Sequence, residues 1–226
     1  MRTDCDTLLL STAYFPPTAW FALIAGATET CIENHENYSK QSYRNRCCIM
    51  SANGLLPLVI PVKRKRGRKT PVTEISPDYS YPWQRLHHIS IESAYRSAPF
   101  YEYYIDEIIP LLEKRYSRLI ELNNAISERM FKILEIENEP TETNSYENLP
   151  GPGTRDFRER LHPKKGEFNT RDIIGYPEYR QVFSDRHGFM PNLSIIDLLF
   201  NIGPDAPGYI RRLSKLIRVS GQKSAF

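Results

Sequence analysis

Apolar residues along this chain come in short bursts of differing period, and each period predicts an element. Thr7–Ser11 (TLLLS) is a continuous apolar run of strand length, ended by the turn residues Phe15-Pro16-Pro17. Thr18–Gly26 (TAWFALIAG) reads as a short helix with Thr18 as N-cap and Gly26 as its stop. Thr30–Glu33 is a second strand. Cys47–Ser51 and Leu55–Val62 flank Ala52-Asn53-Gly54, and Asn-Gly between two apolar runs is a strong hairpin signal. Pro57 and Pro61 put the second arm at an edge, because proline offers no N–H to a further strand.

Beyond the hairpin the period lengthens. Val72–Ile75 predicts one more short strand, and Trp83–Ala98 a helix stopped by Pro99. From about Ile105 to Ile136, Leu112, Tyr116, Leu119, Ile126, Met130 and Ile133 recur at spacings of 4, 3, 7, 4 and 3, one face of a long amphipathic helix. Asn123 is the only polar residue on that stripe, either a placed hydrogen-bonding group or a satisfied amide. Residues 137–187 carry Pro140, Pro150, Pro152, Pro163 and Pro177 with no sustained apolar period, which predicts a long Pro-rich surface excursion with one short helix. Pro191–Phe200 predicts a largely buried helix ended by Gly203-Pro204, followed by an amphipathic helix from about Ala206 to Ile217. The expected fold is mixed α/β: short strands and an edge hairpin packed with several helices, one of them long, in a single domain over residues 1–226.

Composition narrows the class. A hydrophobic content of 40% with 25% charged residues suits a folded chain and excludes disordered or collagen-like structure. The longest apolar stretch, Leu55–Val62, is far short of the roughly 18–20 residues of a membrane span. Asp4 and Asp6 beside Leu8-Leu9-Leu10 match neither a signal nor a transit peptide, so the expected location is the cytoplasm. The formal net charge is +3, yet Lys63, Arg64, Lys65, Arg66, Arg68 and Lys69 carry six positive charges, leaving −3 elsewhere. One basic spot is not the broad face of a duplex binder, and no specific nucleic-acid partner is expected. The cluster itself suits an anionic partner or a solvated connection. Cys47 and Cys48 are adjacent and no CxxC occurs, so the four cysteines read as reduced thiols with no metal site. Phosphate-loop, dinucleotide, nucleophile-elbow and zincin motifs are absent, and the sequence names no cofactor.

Two polar sets remain as candidate chemistry. His35, Glu36, Tyr38, Lys40, Gln41, Arg44, Asn45 and Arg46 crowd one segment between apolar strands. The lysine and arginines suit a phosphate or carboxylate, and His35 with Glu36 suits acid–base work; a loop whose charges pair with each other is the alternative. On the Trp83–Ala98 helix stand Trp83, His87, His88, Glu92 and Tyr95, of which His88, Glu92 and Tyr95 are four and three residues apart and share a face. They form either an imidazole–carboxylate pair or an ordinary hydrogen-bonded pair. Catalysis is assigned to His35, Glu36, His88 and Glu92, and substrate binding to Tyr38, Lys40, Gln41, Arg44, Asn45, Arg46 and Tyr95; the catalytic assignment requires the two sets to meet in space. Cys47 and Cys48 are weaker candidates as nucleophiles. Asp197, inside an apolar helix, is expected to pair with an arginine of the 44–46 region or with a backbone N–H.

Five segments together resemble the WbqC-like family: AYFPPTAWFALIAG (13–26), NYSKQSYRNR (37–46), NGLLPLVIPVK (53–63), SIESAYRSAPFYEYY (90–104) and LSIIDLLFN (193–201). The chain differs from many relatives in starting Ser11-Thr12-Ala13, in having His35-Glu36 in place of an Asp pair, and in lacking an apolar α/β segment within 137–187. The resemblance implies a setting in surface-glycan or glycoconjugate biosynthesis and draws attention to residues 35–46. The expected activity is a transferase acting on a nucleotide-activated or amino sugar, with a phosphorylated small molecule as substrate. The alternative is a non-catalytic module that recruits glycan-biosynthesis enzymes as protein partners.

Overall fold

The computed structural model describes residues 7–64, 68–164 and 175–223. In chain order the elements are β1 (Thr7–Ser11), α1 (Thr18–Gly26), β2 (Glu29–Glu33), β3 (Arg46–Ser51), β4 (Gly54–Val59), β5 (Val62–Lys63), β6 (Ser76–Pro77), α2 (Trp83–Tyr95), α3 (Tyr101–Glu113), α4 (Leu119–Ile133), β7 (Thr141–Glu142), β8 (Thr154–Asp156), α5 (Ser184–His187), α6 (Ile195–Ile202) and α7 (Ala206–Lys223). Mixed α/β describes this arrangement.

Leu8, Leu9 and Leu10 are all buried, as in a strand covered on both faces. β1 is accordingly an inner strand of a four-stranded parallel sheet of order β7-β2-β1-β8. α1 is the crossover between β1 and β2, whose register runs from Thr7 opposite Glu29 to Ser11 opposite Glu33. Helix α1 packs chiefly on α7. Its first turn is capped from far away: Ala19 N–H donates to the Asn192 side chain at 3.0 Å and Thr18 N–H to the Leu193 carbonyl at 3.1 Å. Thr18, expected as the N-cap, is therefore the first helical residue and follows Pro17.

The hairpin β3–β4 forms as the Asn-Gly signal predicts, with Ser51 opposite Gly54 at φ +96°. Pro57 lies on β4, an edge strand of this two-stranded sheet. β3 is the buried arm and packs against α2 and α6.

Three expectations are corrected. Val72–Glu74 is a 3-10 turn, not a strand; the Pro71 and Val72 carbonyls accept the N–H groups of Glu74 and Ile75, while Val72 N–H donates to Glu36. The helix expected over 105–136 is two helices, α3 and α4. Pro110 lies inside α3, and Glu121 draws in the N–H groups of Ser117 and Arg118, starting α4 afresh. Leu112, Tyr116, Leu119, Ile126 and Met130 are nonetheless all buried, so the stripe survives the break. Residues 137–187 are more than an excursion with one short helix: they supply β7, β8 and the short α5, and bury Phe157, Leu161, Tyr176 and Gln181.

Candidate functional site

In open parallel sheets, ligands bind outside the carboxyl ends of the strands. Here those ends bring Ser11 and Thr12, the stretch Glu33–Glu36, and Asp156–Glu159 to one edge. Arg44, only 2% exposed, reaches that edge from the turn before β3. Its Nε and Nη2 each donate to Glu36 at 2.6 Å, and Nη2 also donates to Ser11 Oγ at 2.7 Å and Glu159 at 2.9 Å. Burial pushes the Glu36 carboxyl up against the pull of Arg44. Burial also works to lower Arg44, and the carboxylates of Glu36 and Glu159 more than offset it, so the guanidinium stays charged. A second guanidinium, Arg158, donates to Asp156 at 2.7–3.2 Å and to Glu33 at 3.3 Å. Burial works to raise Asp156, yet the Arg158 bonds outweigh it and hold the carboxyl below its ordinary value.

Beside these knots opens a cavity of about 160 Å³. Its apolar wall is Trp20 stacked on Phe131, ring centroids 5.9 Å apart and planes 13° from parallel. Glu128, Glu139 and Glu142 are exposed residues on its lining, with Asn124 donating to Glu142 at 3.1 Å. Buried Thr12 lines it too; its hydroxyl accepts from Asn123 Nδ2 at 3.0 Å, and the same amide donates to the Arg44 carbonyl at 2.9 Å. His35 Nε2 lies 2.9 Å from the carbonyl of Thr143, the residue after Glu142. A carbonyl only accepts, so Nε2 is the donor. Glu33 ties this corner together, accepting from His35 N–H at 2.7 Å and Thr143 Oγ1 at 2.9 Å.

The opposite side of the 34–46 segment is basic. Tyr38 N–H donates to the Thr70 carbonyl and Asn37 bridges Pro71, so the basic connection runs alongside. Burial pushes the Tyr38 phenol up, while Arg46, Arg64 and Arg44 pull it down. Arg46 has a buried Nε with no hydrogen-bond partner among the described residues. Lys40, Arg64, Arg68 and Lys69 are exposed, and Lys65 and Arg66 lie outside the described residues.

Other candidates occupy different places. Asn45 clamps the hairpin, donating from Nδ2 to the Ile60 carbonyl at 2.7 Å. Gln41, at φ +61°, accepts from Lys164 at 3.4 Å. His88 is half-buried on α2, and Glu92 pairs with Arg96 at 3.5 Å; among the described residues no hydrogen bond joins His88 to Glu92, or either to the 35–46 set. Tyr95 is fully buried, donating to Asp197 at 2.7 Å and accepting from Met50 N–H at 3.2 Å. Asp197 is thus held by neutral donors, the hydroxyls of Tyr95 and Tyr179 and the amide of Gln181, not by the expected arginine or backbone N–H. Burial pushes its carboxyl up. Burial likewise pushes the Cys47 thiol well up, away from the thiolate a nucleophile needs. No group of three or more His, Cys, Asp or Glu among the described residues has metal-site geometry, and no described helix is long and apolar enough to cross a membrane.

His87, next to His88 on α2, is buried where His88 is not. Its Nδ1 accepts from Tyr14 at 2.8 Å and its Nε2 donates to the Val59 carbonyl at 3.2 Å. Tyr14 N–H in turn donates to the Tyr43 carbonyl. Thr12, Trp20 and Phe131 were not singled out for the site, because each sits in an apolar or ordinary local context. Only the polar Asn123 on an apolar stripe pointed toward this place.

No solved structure is significantly similar to the chain. A protein of Mycobacterium tuberculosis described as uncharacterized is 29% identical over 229 residues, covering 90% of this chain and 96% of that protein. The WbqC-like protein family matches residues 12–162 and 151–209, which begin just after β1 and take in the other three strands of the parallel sheet, the hairpin and helices α1 to α6. On that match, the chain belongs to the WbqC-like protein family.

Proposed function

We propose a cytoplasmic transferase of surface-glycan or glycoconjugate biosynthesis that acts on a nucleotide-activated or amino sugar at the carboxyl edge of the parallel sheet. Family membership supplies the glycan setting. The observation that carries the phosphate part is the buried Arg46 Nε without a partner among the described residues, with Arg46 and Arg64 both acting on Tyr38. A buried donor left unmade costs about 1–3 kcal/mol, and a phosphate oxygen satisfies it with a charge-assisted bond. In this reading Lys40, Arg46 and Arg64 hold the phosphates, while Glu36 and Arg44, whose charges are already spent on each other, and Ser11, which accepts from Arg44, are positioning residues. His35, its Nε2 held by the Thr143 carbonyl, is the base at the sugar end. His88 and Glu92 have no part in it.

The test is a thermal-shift and calorimetric screen of nucleotide sugars. At 100 times its dissociation constant, a true ligand adds about 2.7 kcal/mol to stability. Arg46→Ala is expected to weaken that ligand by about 1–3 kcal/mol with the fold retained, and Arg46→Lys, which keeps charge but loses Nε, to recover only part. Binding that ignores both variants, or silence across the panel, overturns the phosphate assignment. Binding without turnover of any sugar shifts the reading to a module that recruits glycan enzymes.

A further inference from the structure

The cavity at the same edge has the opposite character from the Arg46 face, and the contrast is informative. Its lining holds Glu128, Glu139 and Glu142 and, among the described residues, no lysine, arginine or histidine. None of the three carboxylates is in an ion pair among the described residues, although the whole chain is net positive. They are not gathered within reach of a single metal ion either. The cavity therefore suits a cation spread over a larger body. One wall is the Trp20–Phe131 stack, which favours an apolar ring face and, at short range, a positive charge. Thr12 is 3% exposed and lines the cavity; its hydroxyl accepts from Asn123 and so keeps its own proton to donate to an oxygen. At about 160 Å³ the space is well below the roughly 300–1,000 Å³ of drug-sized sites, and matches a single ring rather than a whole nucleotide sugar.

We infer that this cavity is a binding site for the protonated amine of an amino-sugar ring, with Glu128, Glu139 and Glu142 around the ammonium, the Trp20–Phe131 wall against the ring and Thr12 on a ring hydroxyl. The inference deepens the reading above and rests on it for the sugar class. It assigns the amine to the acidic end of the edge and leaves phosphates to the Arg46 end. His35 is tied by Nε2 to the carbonyl of Thr143, which follows the lining residue Glu142 in the chain.

The experiment is ligand-observed NMR titration of the full chain with glucosamine, glucose and N-acetylglucosamine as probes. Glucosamine is expected to bind at least about ten-fold more tightly than the other two, a difference of about 1.4 kcal/mol. Glu128→Gln and Glu142→Gln change exposed residues and leave the fold intact; each is expected to weaken glucosamine several-fold without changing the affinity of any nucleotide sugar that Arg46 holds. Equal binding of glucose and glucosamine, or glucosamine binding indifferent to both variants, overturns the inference. Nucleotide-sugar binding through Arg46 with no amine preference overturns this inference alone. A carboxylate-dependent amine preference with no nucleotide-sugar binding supports the cavity and removes the phosphate assignment instead.

Discussion

Glu36 and Asp197 are both carboxylates withdrawn from water, and the chain answers them in opposite ways. Glu36 faces a guanidinium in two parallel bonds of 2.6 Å. Asp197 faces two phenols and an amide, all neutral. The first arrangement holds a charge in place; removing either partner leaves the other charged and unsolvated. The second tolerates a proton, because neutral donors hold the carboxyl in either form. The difference sorts the two regions by task. The carboxyl edge keeps a fixed electrostatic pattern, with Arg44 and Arg158 each locked to carboxylates. The Asp197 cluster fastens α6 to α2, to β3 through the Tyr95–Met50 bond, and to the 179–181 segment.

Cutting each cluster tests the comparison most directly. Arg44→Ala is expected to cost about 3–5 kcal/mol, since it strands Glu36 in a buried site. The midpoint and slope of urea unfolding measure this. A loss below about 1 kcal/mol, the scale of an exposed ion pair, would erase the contrast with Asp197.

His87 sharpens it further, as a buried titratable group hydrogen-bonded to Tyr14 and the Val59 carbonyl with the Trp83 ring edge-on to it. Burial lowers its pKa from 6.5 to about 4. The unfolded chain therefore takes up this proton first as pH falls. The stability linked to His87 is complete above about pH 6.5 and lost between there and about pH 4, a total of about 3 kcal/mol. Unfolding free energies of wild type and His87→Gln across pH 4–7 should converge toward the acid end. Parallel curves would mean the imidazole is not the group responsible.

The smallest effect belongs to Asp197→Asn, which keeps an acceptor for the phenols and is expected to cost about 1 kcal/mol. Its sign with pH is the reverse of the usual carboxylate. Because the folded pKa is raised, ionisation destabilises the native state as pH climbs above the unfolded value of about 3.9. The penalty of the substitution should therefore be largest near pH 4 and shrink toward neutrality. A penalty that instead grows with pH would show a charged partner at Asp197.

Much of the architecture was legible because it is local. TLLLS, TAWFALIAG and the Asn-Gly hairpin declare themselves within a few residues; the first two form over the expected residues, and the hairpin forms with its second arm ending at Val59, three residues before the expected Val62. What escaped was non-local. β7 and β8 are two and three residues long and polar, so nothing in their sequence announces a strand; they exist because β2 and β1 offer parallel partners. The helix break at 114–118 keeps the apolar period across it, so periodicity alone joins what capping separates. Within the site, the crowding of residues 35–46 was visible, but not that Arg44 and Glu36 answer each other. On α2 a one-residue difference decides between neighbours: His87 turns inward to Tyr14, while His88 stays half-exposed.

The distant capping of α1 reaches beyond the folded state. Its first turn is completed by Asn192 and Leu193, Ser194 Oγ donates to the Phe15 carbonyl, and Ile195 N–H donates to the Pro16 carbonyl. During synthesis these partners emerge only after more than four-fifths of the chain has left the ribosome. The first crossover of the sheet is thus among the last parts able to close, as topologies rich in long-range contacts impose. Until then Trp20, Phe21, Leu23 and Ile24 form an apolar stretch on the nascent chain, and a chaperone that guards such stretches has this one to hold.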